Sequence, residues 1–596
     1  MSFSYFVQLA RFHSMALVGA FVTTMLVSSP LIAFPFYAGD AYKGLNIAHF
    51  GTDEHIYLTR AKEVLEDHQL GQPVLSANKD LQDPTFSYVE RVVLSPLTLS
   101  GLAPYVDVVT IYNIYNFIGV FVLLIILYAI ALALTADTWL ATAAAMSVIG
   151  GYSIVYNKTL FFSDFNIYGR SDFPYMASIP FFLMCLFLIR ARELQSYRYA
   201  LAAAAAFGFL FYDYFYGWTF ALALLGSFAL MLLLFREYKA VLQVIISGIV
   251  GLCIAIPVLY LYVLFFTSSA GSQLSYFLLS VPGRKPVMSA ISLLLLLLIG
   301  VFWYIRRDRT YIPFYLAIVL ASWIAVNEQL VTGRFIQYGH YYWYFIVPSC
   351  ILVSVCMVGL LAPKKWRMAF TLVLLGVILL NTTVGQYRSF FTTLSEKMRD
   401  QDFAPFITLL NRLPQGAVVT EDLGSSFPML ITIYTNHDLF YGGSAQTYNV
   451  SLDYMKDVLL THLFLNKDAR RDPIQFLRKN LDTIHHDEYT SQYHEIEGYY
   501  SGTDYYTYHD EILVGTTTVA VVRAKLLAEL SERQRMHFAG ASHVRDFLVR
   551  NGVRYILADY RITPEWDVTA LAPITLLASS SDIALYELSG NGKNAQ

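Results

Sequence analysis

Eleven runs of about twenty mostly apolar residues set the problem that this chain has to solve. They lie at roughly 15–37, 107–135, 138–157, 172–191, 198–216, 217–235, 240–266, 287–305, 310–327, 342–362 and 367–386. A helix needs about 20 residues at 1.5 Å each to cross ~30 Å of hydrocarbon. In lipid every backbone N–H and C=O has to be satisfied within the chain, so runs of this length predict helices and exclude an open sheet. The pair at 198–235 is the least clearly divided, since only the aromatic connector Tyr212–Gly217 separates the two runs. Composition agrees: 56% of the residues are hydrophobic and 14% charged, against about a quarter charged in soluble domains. The first run is longer than a signal-peptide core and reads as a retained anchor, with cleavage near Ala38 as the alternative. The expected fold is a polytopic α-helical membrane protein of about eleven spans with a C-terminal α/β domain outside the membrane.

Orientation follows from lysine and arginine in the short loops. With the N-terminus in the cytoplasm, the inner loops hold Arg11, Arg190, Arg192, Arg198, Arg236, Lys239, Arg306, Arg307, Arg309, Lys364, Lys365 and Arg367. The short outer loops hold only Lys158, Arg170, Arg284, Lys285 and Arg334. This bias places everything after residue 387 outside the cytoplasm and predicts a multi-pass protein of a plasma (inner) membrane. The four cysteines (Cys185, Cys253, Cys350 and Cys356) all fall in apolar runs, so no disulfide framework or zinc spacing exists outside the membrane. Their absence there leans toward a prokaryotic plasma membrane. A net charge of −3 gives no footing for nucleic-acid binding.

Two regions stand outside the bilayer. The long first outer loop, 39–106, opens on an amphipathic helix from Thr52 to about Gln69, with Ile56, Ala61, Val64, Leu65 and His68 near one face. Such a helix is expected to lie along the membrane surface. Residues 1–388 form the membrane module and 389–596 an outer α/β domain. In that domain helices are expected at 403–413, 452–464, 473–481, 519–536 and 544–551, and strands at 417–420, 554–558, 574–578 and 583–588. The stretch 485–510, rich in tyrosine, histidine and acid, reads as a mobile loop or a glycan-facing surface, and the tail 591–596 as disordered.

Four polar clusters lie at the outer ends of the runs: Asp53-Glu54; the segment Ser163–Asp172 with Asp164, Arg170 and Asp172; Asp213 among tyrosines; and Asn327–His340 with Glu328, Arg334 and His340. An ionisable group at the membrane edge is expensive unless paired or wet. Acids and bases gathered on one side from distant loops would form a polar site over an apolar floor, which suits a lipid phosphate. Arg170, Arg334 and His340 are the candidates for holding it, since the arginine fork matches phosphate oxygens. A carboxylate there can take a proton from an attacking hydroxyl. Each residue also has a structural reading. Thr52 is a good N-cap, and acids in a first helical turn favour the dipole. Asp164 and Asp172 fit loop and cap positions, Asp213 an interfacial anchor, Arg334 a snorkelling cation and His340 a packed interface residue.

A long first outer loop with Asp53-Glu54 near the start of a helix resembles the GT-C glycosyltransferases. These include protein O-mannosyltransferases, lipid A aminoarabinose transferases and oligosaccharyltransferases. The resemblance covers the topology of 1–388 and that one short motif; the segment Asn327–His340 is similar to one in uncharacterised bacterial membrane proteins of the same general type. It implies a polyprenyl-phosphate-sugar donor and a glycan, lipid or protein acceptor. It implies Asp53 as the first-loop acid and Glu54 as its neighbour, and places Asp164 where oligosaccharyltransferases have a metal-binding acid. A divalent cation held by Asp53 and Asp164 is compatible with it, and no other cofactor is implied. Arg170, Arg334, His340, Asp172 and Glu328 are then the residues for the lipid phosphate and sugar, although no motif fixes them. The chain departs from oligosaccharyltransferases in lacking Trp-Trp-Asp-Tyr-Gly, where it reads Thr420-Glu421-Asp422-Leu423-Gly424, and this argues against peptide N-glycosylation.

The function expected is an inverting glycosyl transfer on the outer face, with Asp53 as the base. Two rivals remain at this level: a membrane transporter or flippase of lipid-linked glycans, and a polysaccharide polymerase or ligase.

Overall fold

Each of the eleven apolar runs is helical in the computed structural model, which describes residues 12–48, 53–68, 72–77, 79, 88–162, 166–170, 174–267, 280–420, 427–442, 450–481, 488–501 and 517–588. The membrane module opens with α1 (Ser14–Ala38), which carries Pro30 and Pro35 in its outer half. In the first outer loop lie α2 (Asp53–Leu65) and α3 (Val89–Leu99). There follow α4 (Val108–Thr135), α5 (Thr138–Gly150), α6 (Ser178–Leu194), α7 (Tyr197–Asp213), α8 (Phe215–Leu234), α9 (Tyr238–Phe266), α10 (Ala290–Arg306), α11 (Ile312–Ala325), α12 (Val347–Leu361) and α13 (Lys364–Asp400). Among the described residues, seven helical segments are long and apolar enough to cross a membrane, α11 and α12 only when counted with the turns beside them, as Ile312–Thr332 and Gly339–Leu361. The other four (α5, α6, α7 and α10) have 13 or 17 residues, which gives about 20–26 Å of helix. Two of them are lengthened at their outer ends, α5 by the turn Tyr152–Tyr156 and α6 by the 3-10 turn Pro174–Ala177.

Local chemistry sets the corners. Between α4 and α5, Ala136 adopts φ 52° and Asp137 caps the next helix, accepting from Trp139 N and Leu140 N. Two residues therefore reverse the chain. At the outer end α7 and α8 are divided by Tyr214 alone, which is extended (φ −142°, ψ 126°). Close helix contacts depend on glycine: a Cβ on Gly359 of α12 would lie 2.3 Å from Leu140 Cδ1 of α5. The interior is one continuous apolar cluster, including Leu127, Phe181, Leu224, Phe345 and Cys356.

The outer domain holds a four-stranded sheet in the order β3 (Ala417–Val419), β4 (Val553–Asp559), β6 (Ile583–Leu588), β5 (Ile574–Ser579). The β3–β4 pair is parallel and the others antiparallel. A short ribbon, β1 (Ser280–Pro282) with β2 (Arg334–Ile336), lies over the outer ends of α10 and α11.

Domain and loop are not separate bodies. One buried cluster takes in Leu45, Leu58, Ala61, Leu75 and Leu94 of the first loop together with Leu410, Val418, Leu459, Tyr555 and Leu585 of the outer domain. Leu439 bridges both Leu75 and Val418, so the loop is stitched onto the sheet edge. The expected 388/389 boundary falls inside α13, a single helix of 37 residues.

Two elements differ from the sequence expectation, and α3 carries a proline in its interior. Glu488–Ser501 is a helix rather than a mobile loop. It buries Tyr489, Tyr493 and Ile496, which share one face at i, i+4 and i+7, so its core is built largely from tyrosine. Phe427–Tyr434 is a helix that the sequence reading did not assign. Helix α3 runs through Pro96, which cannot donate to Val92 O; the Ser95 hydroxyl donates to that carbonyl instead at 2.8 Å. The tail 591–596 lies outside the described residues.

Candidate functional site at the outer ends of the helices

Helix α2 begins at Asp53, so Asp53 and Glu54 occupy its first turn. The side chains of both lie outside the described residues. The buried face overlaps the one that its periodicity suggested, with Ala61 buried and Ile56, Val64 and Leu65 packed half-buried against the same core, but it also takes in polar residues. Leu58, Thr59, Arg60, Ala61 and Glu63 are buried, while His68 follows the helix and is exposed. The reason is its surroundings. The helix is held between α3, α4 and helix Phe427–Tyr434 of the outer domain. Thr59 Oγ1 donates to Thr432 Oγ1 at 2.9 Å, and Lys62 Nζ donates to the carbonyls of Thr432 and Thr435.

At the centre of the buried face, Arg60 meets Glu90 of α3. Its Nε reaches Oε1 at 2.7 Å and its Nη2 reaches Oε2 at 3.2 Å. The side chains are 1% and 0% exposed. Directly before Glu90, Tyr88 N donates to Tyr212 O at 2.7 Å, which ties the start of α3 to the end of α7. Asp213, the last residue of α7, is buried there within electrostatic reach of Glu90. The sequence reading missed Arg60 and Glu90. Each sits among other charges in an ordinary helical pattern (Lys62 and Glu63 follow Arg60, and Arg91 follows Glu90), so nothing in the sequence singles it out.

From Asp213 the polar chain continues along the membrane edge. The Tyr214 hydroxyl is hydrogen-bonded to His340 Nδ1, and His340 Nε2 meets Gln337 Oε1 at 2.9 Å. Because the glutamine oxygen can only accept, Nε2 is the donor in that contact. The ring stacks on Tyr216 (centroids 4.5 Å, 9°) and lies 4.6 Å from Trp343. Tyr214 also meets Tyr344 edge-on at 5.9 Å. The Tyr344 hydroxyl accepts from Arg170 Nη1 at 3.3 Å. Arg170 ends the 3-10 turn Ile167–Gly169, which Asn166 caps; Gly169 passes so near α1 that a Cβ would stand 3.3 Å from Val27 O. Arg170 is 1% exposed, a fixed charge beneath the aromatic layer rather than a solvent-facing anchor. Tyr152, Tyr156 and Tyr168 continue the layer, and Trp343 Nε1 donates to the Tyr156 hydroxyl at 2.5 Å, closing it back toward His340. The turn Tyr342–Ile346 is a π-helix, a rare form often found at functional sites.

The structure therefore joins Arg170, Asp213 and His340 with the helix that carries Asp53 and Glu54. Arg334 and Glu328 are placed otherwise. Arg334 is exposed on β2, opposite Pro282, and its backbone N–H donates to Thr332 Oγ1. Glu328 lines a mostly apolar cavity of about 710 Å³ at the outer ends of α10 and α11, with Val287, Trp323, Ile324 and Leu330 in its wall. Asp164 and Asp172 lie outside the described residues, and so does a metal set built on Asp53 and Asp164.

Among the described residues one acid–histidine group has the spacing for a cation: Glu63, Glu66 and His68. It already holds cationic partners. Lys79 Nζ stands 3.2 Å from Glu63 and 2.7 Å from Asp438, and Lys62 lies 3.6 Å from Glu66. Burial pushes the Glu63 carboxyl up and the Lys62 ammonium down from their ordinary values.

No protein-family model and no curated protein sequence matches the chain. Solved structures similar to it include these three. One is ArnT from Cupriavidus metallidurans bound to undecaprenyl phosphate, at 13% identity and a TM-score of 0.46 over 99% of each chain. The second is the Archaeoglobus fulgidus oligosaccharyltransferase in its apo form, at 10% identity and a TM-score of 0.46 over 83% of this chain and 71% of that one. The third is the oligosaccharyltransferase AglB of the same archaeon with an inhibitory peptide and a dolichol-phosphate, at 10% identity and a TM-score of 0.46 over 93% and 70%. At these identities and scores the likenesses carry no argument about activity.

Proposed function

We propose that the chain is a GT-C-type glycosyltransferase that moves a sugar from a polyprenyl-phosphate-linked donor to an acceptor hydroxyl at the outer face of the membrane. The observation that carries the reading is the gathering of four segments far apart in sequence into one polar and aromatic layer above an apolar helix bundle. These are α2 with α3, the turn 166–170, the α7–α8 junction and 337–344. A lipid tail would lie among the helices, with its phosphate at the level of Arg170 and the sugar against the aromatic rings. The site named from the sequence is consistent with this placement through Arg170 and His340.

In the proposed reaction the acceptor oxygen forms a bond to the anomeric carbon while the anomeric carbon–phosphate oxygen bond breaks. Asp53 takes the acceptor proton, and the polyprenyl phosphate leaves with the electron pair. Attack from the face opposite the leaving group inverts the anomeric centre. Arg170 supplies a fixed positive field for the leaving phosphate, worth more in a poorly solvated site than in water. His340, with Nδ1 turned to Tyr214, orients that hydroxyl. If a divalent cation takes part, Asp53 with Asp164 would hold it and it would add charge stabilisation for the phosphate. The transporter reading has less support, because the ionisable groups described here cluster at the outer helix ends rather than mid-membrane.

Native mass spectrometry of the purified protein with a mixture of undecaprenyl-phosphate-linked sugars tests the donor class. A retained lipid monophosphate sugar, weakened in His340→Ala, supports the reading. No retained lipid, or retention of lipids regardless of a phosphate, overturns it.

A further inference from the structure

The Arg60–Glu90–Asp213 cluster has features that stability alone does not require. Two carboxylates and one guanidinium are almost fully buried, at 0%, 5% and 1% exposure. An ion pair drawn out of water is often no more stabilising than well-packed apolar residues of the same volume. What it adds is geometry. The guanidinium fork meets both oxygens of Glu90, which sets the rotation of α2 about its own axis in a way that apolar contacts do not. The three residues come from three elements, α2, α3 and α7, and the Tyr88–Tyr212 backbone hydrogen bond ties the latter two at the same point. The next residue after Asp213 is Tyr214, whose hydroxyl pairs with His340. On the other side, Asp53 stands seven residues, two helical turns, before Arg60 on one rigid helix.

We propose that the Arg60–Glu90 pair, joined to the end of α7 through the Tyr88–Tyr212 backbone bond and with Asp213 buried nearby, is a positioning element that fixes the register of the outer-loop helix against the α7–α8 junction, and so sets the acid end of α2 relative to the Tyr214–His340 pair. Nothing in the chemistry of transfer needs these three residues to touch substrate; they act through Asp53 and His340. Its kinetic consequence rests on the transferase reading, whereas its structural consequence does not.

The test compares full-length wild type, Arg60→Met, and Arg60→Met with Glu90→Leu, all in the same detergent. The double variant removes the buried pair while keeping apolar volume, so it separates positioning from folding if the single variant fails to fold. Hydrogen exchange of residues 53–65 is read first. Positioning predicts that the double variant keeps the wild-type melting midpoint while its amides over 53–65 exchange about tenfold faster. It also predicts a kcat about 100-fold lower with donor KM changed less than about threefold, because misplacement near 1 Å is felt in the chemical step. The charge-swapped pair Arg60→Glu with Glu90→Arg restores part of the protection and the rate. Wild-type exchange and kcat in the double variant would overturn the proposal. If wild type itself transfers no sugar, the functional reading fails while the exchange result still decides the positioning role.

Discussion

Arg60→Met alone puts a number on the buried pair. The substitution keeps much of the side-chain volume but leaves Glu90 at 0% exposure with its guanidinium gone, and Asp213 buried beside it. Two unit charges about 4 Å apart at an effective dielectric of 20 attract by about 4 kcal/mol. Removing one partner of a buried pair typically costs about 3–5 kcal/mol, so the two routes agree. Loop and outer domain share one core, so the affected cooperative unit is about the size of that domain, for which each kcal/mol moves the midpoint by about 2–4 °C. The predicted fall is roughly 6–20 °C, read from tryptophan fluorescence during heating in detergent. Adding Glu90→Leu should recover most of it, since replacing both ions with apolar side chains is neutral or better by up to about 4 kcal/mol. A midpoint within about 2 °C of wild type for Arg60→Met, or a double variant no better than the single, would refute the reasoning, because either result means that the charges are not held out of water.

Three further outcomes follow from particular contacts. Lys397 lies beyond the membrane-crossing stretch of α13, with its ammonium 3.3 Å from Asn46 Oδ1 and over the Phe34 ring, and burial lowers its pKa to about 8. Its unfolded value is near 10.5, so the unfolded chain binds more protons between those two pH values and stability rises with pH across that window; Lys397→Met should remove this rise and add about 3 kcal/mol at pH 7, measured as the midpoint against pH. Gly359→Ala would press a methyl against Leu140 at 2.3 Å and should cost about 1–3 kcal/mol, seen as a lower midpoint without change in ligand retention. Tyr214→Phe removes the hydroxyl that orients His340 but keeps the ring, so transfer should fall by about tenfold or more with donor affinity kept, measured by kcat against KM.

Much of the fold could be read from the residues because lipid leaves few choices. A run such as 107–135 has to be helical, and the structure places Val108–Thr135 there. Strand Ile583–Leu588 and helix Thr517–His537 were visible as a short apolar run and as a long charged helical run. Glu488–Ser501 was hidden because its buried face is tyrosine, which a hydrophobicity pattern counts as half polar. The shared core of loop and domain was hidden for a different reason: Leu75 and Val418 are more than three hundred residues apart, and only the bridge through Leu439 brings them together. The candidate site was visible in part. Arg170 and His340 stand out as charges in aromatic surroundings, and the structure connects them through Tyr344 and Tyr214. Arg60 and Glu90 do not stand out, because a buried pair is legible only when both partners, thirty positions apart, are seen together.

The central claim is transfer from a lipid-linked donor with Asp53 as the base. The most direct measurement is release of free polyprenyl phosphate from an isotopically labelled polyprenyl-phosphate sugar by wild type and Asp53→Asn in nanodiscs with cell-envelope acceptor, followed by mass spectrometry. The account predicts that wild type releases the lipid phosphate with the sugar recovered on an acceptor, and that Asp53→Asn retains the donor but releases at least about 100-fold less. Donor moved between leaflets of vesicles with no covalent product, or an Asp53→Asn variant as fast as wild type, would contradict it.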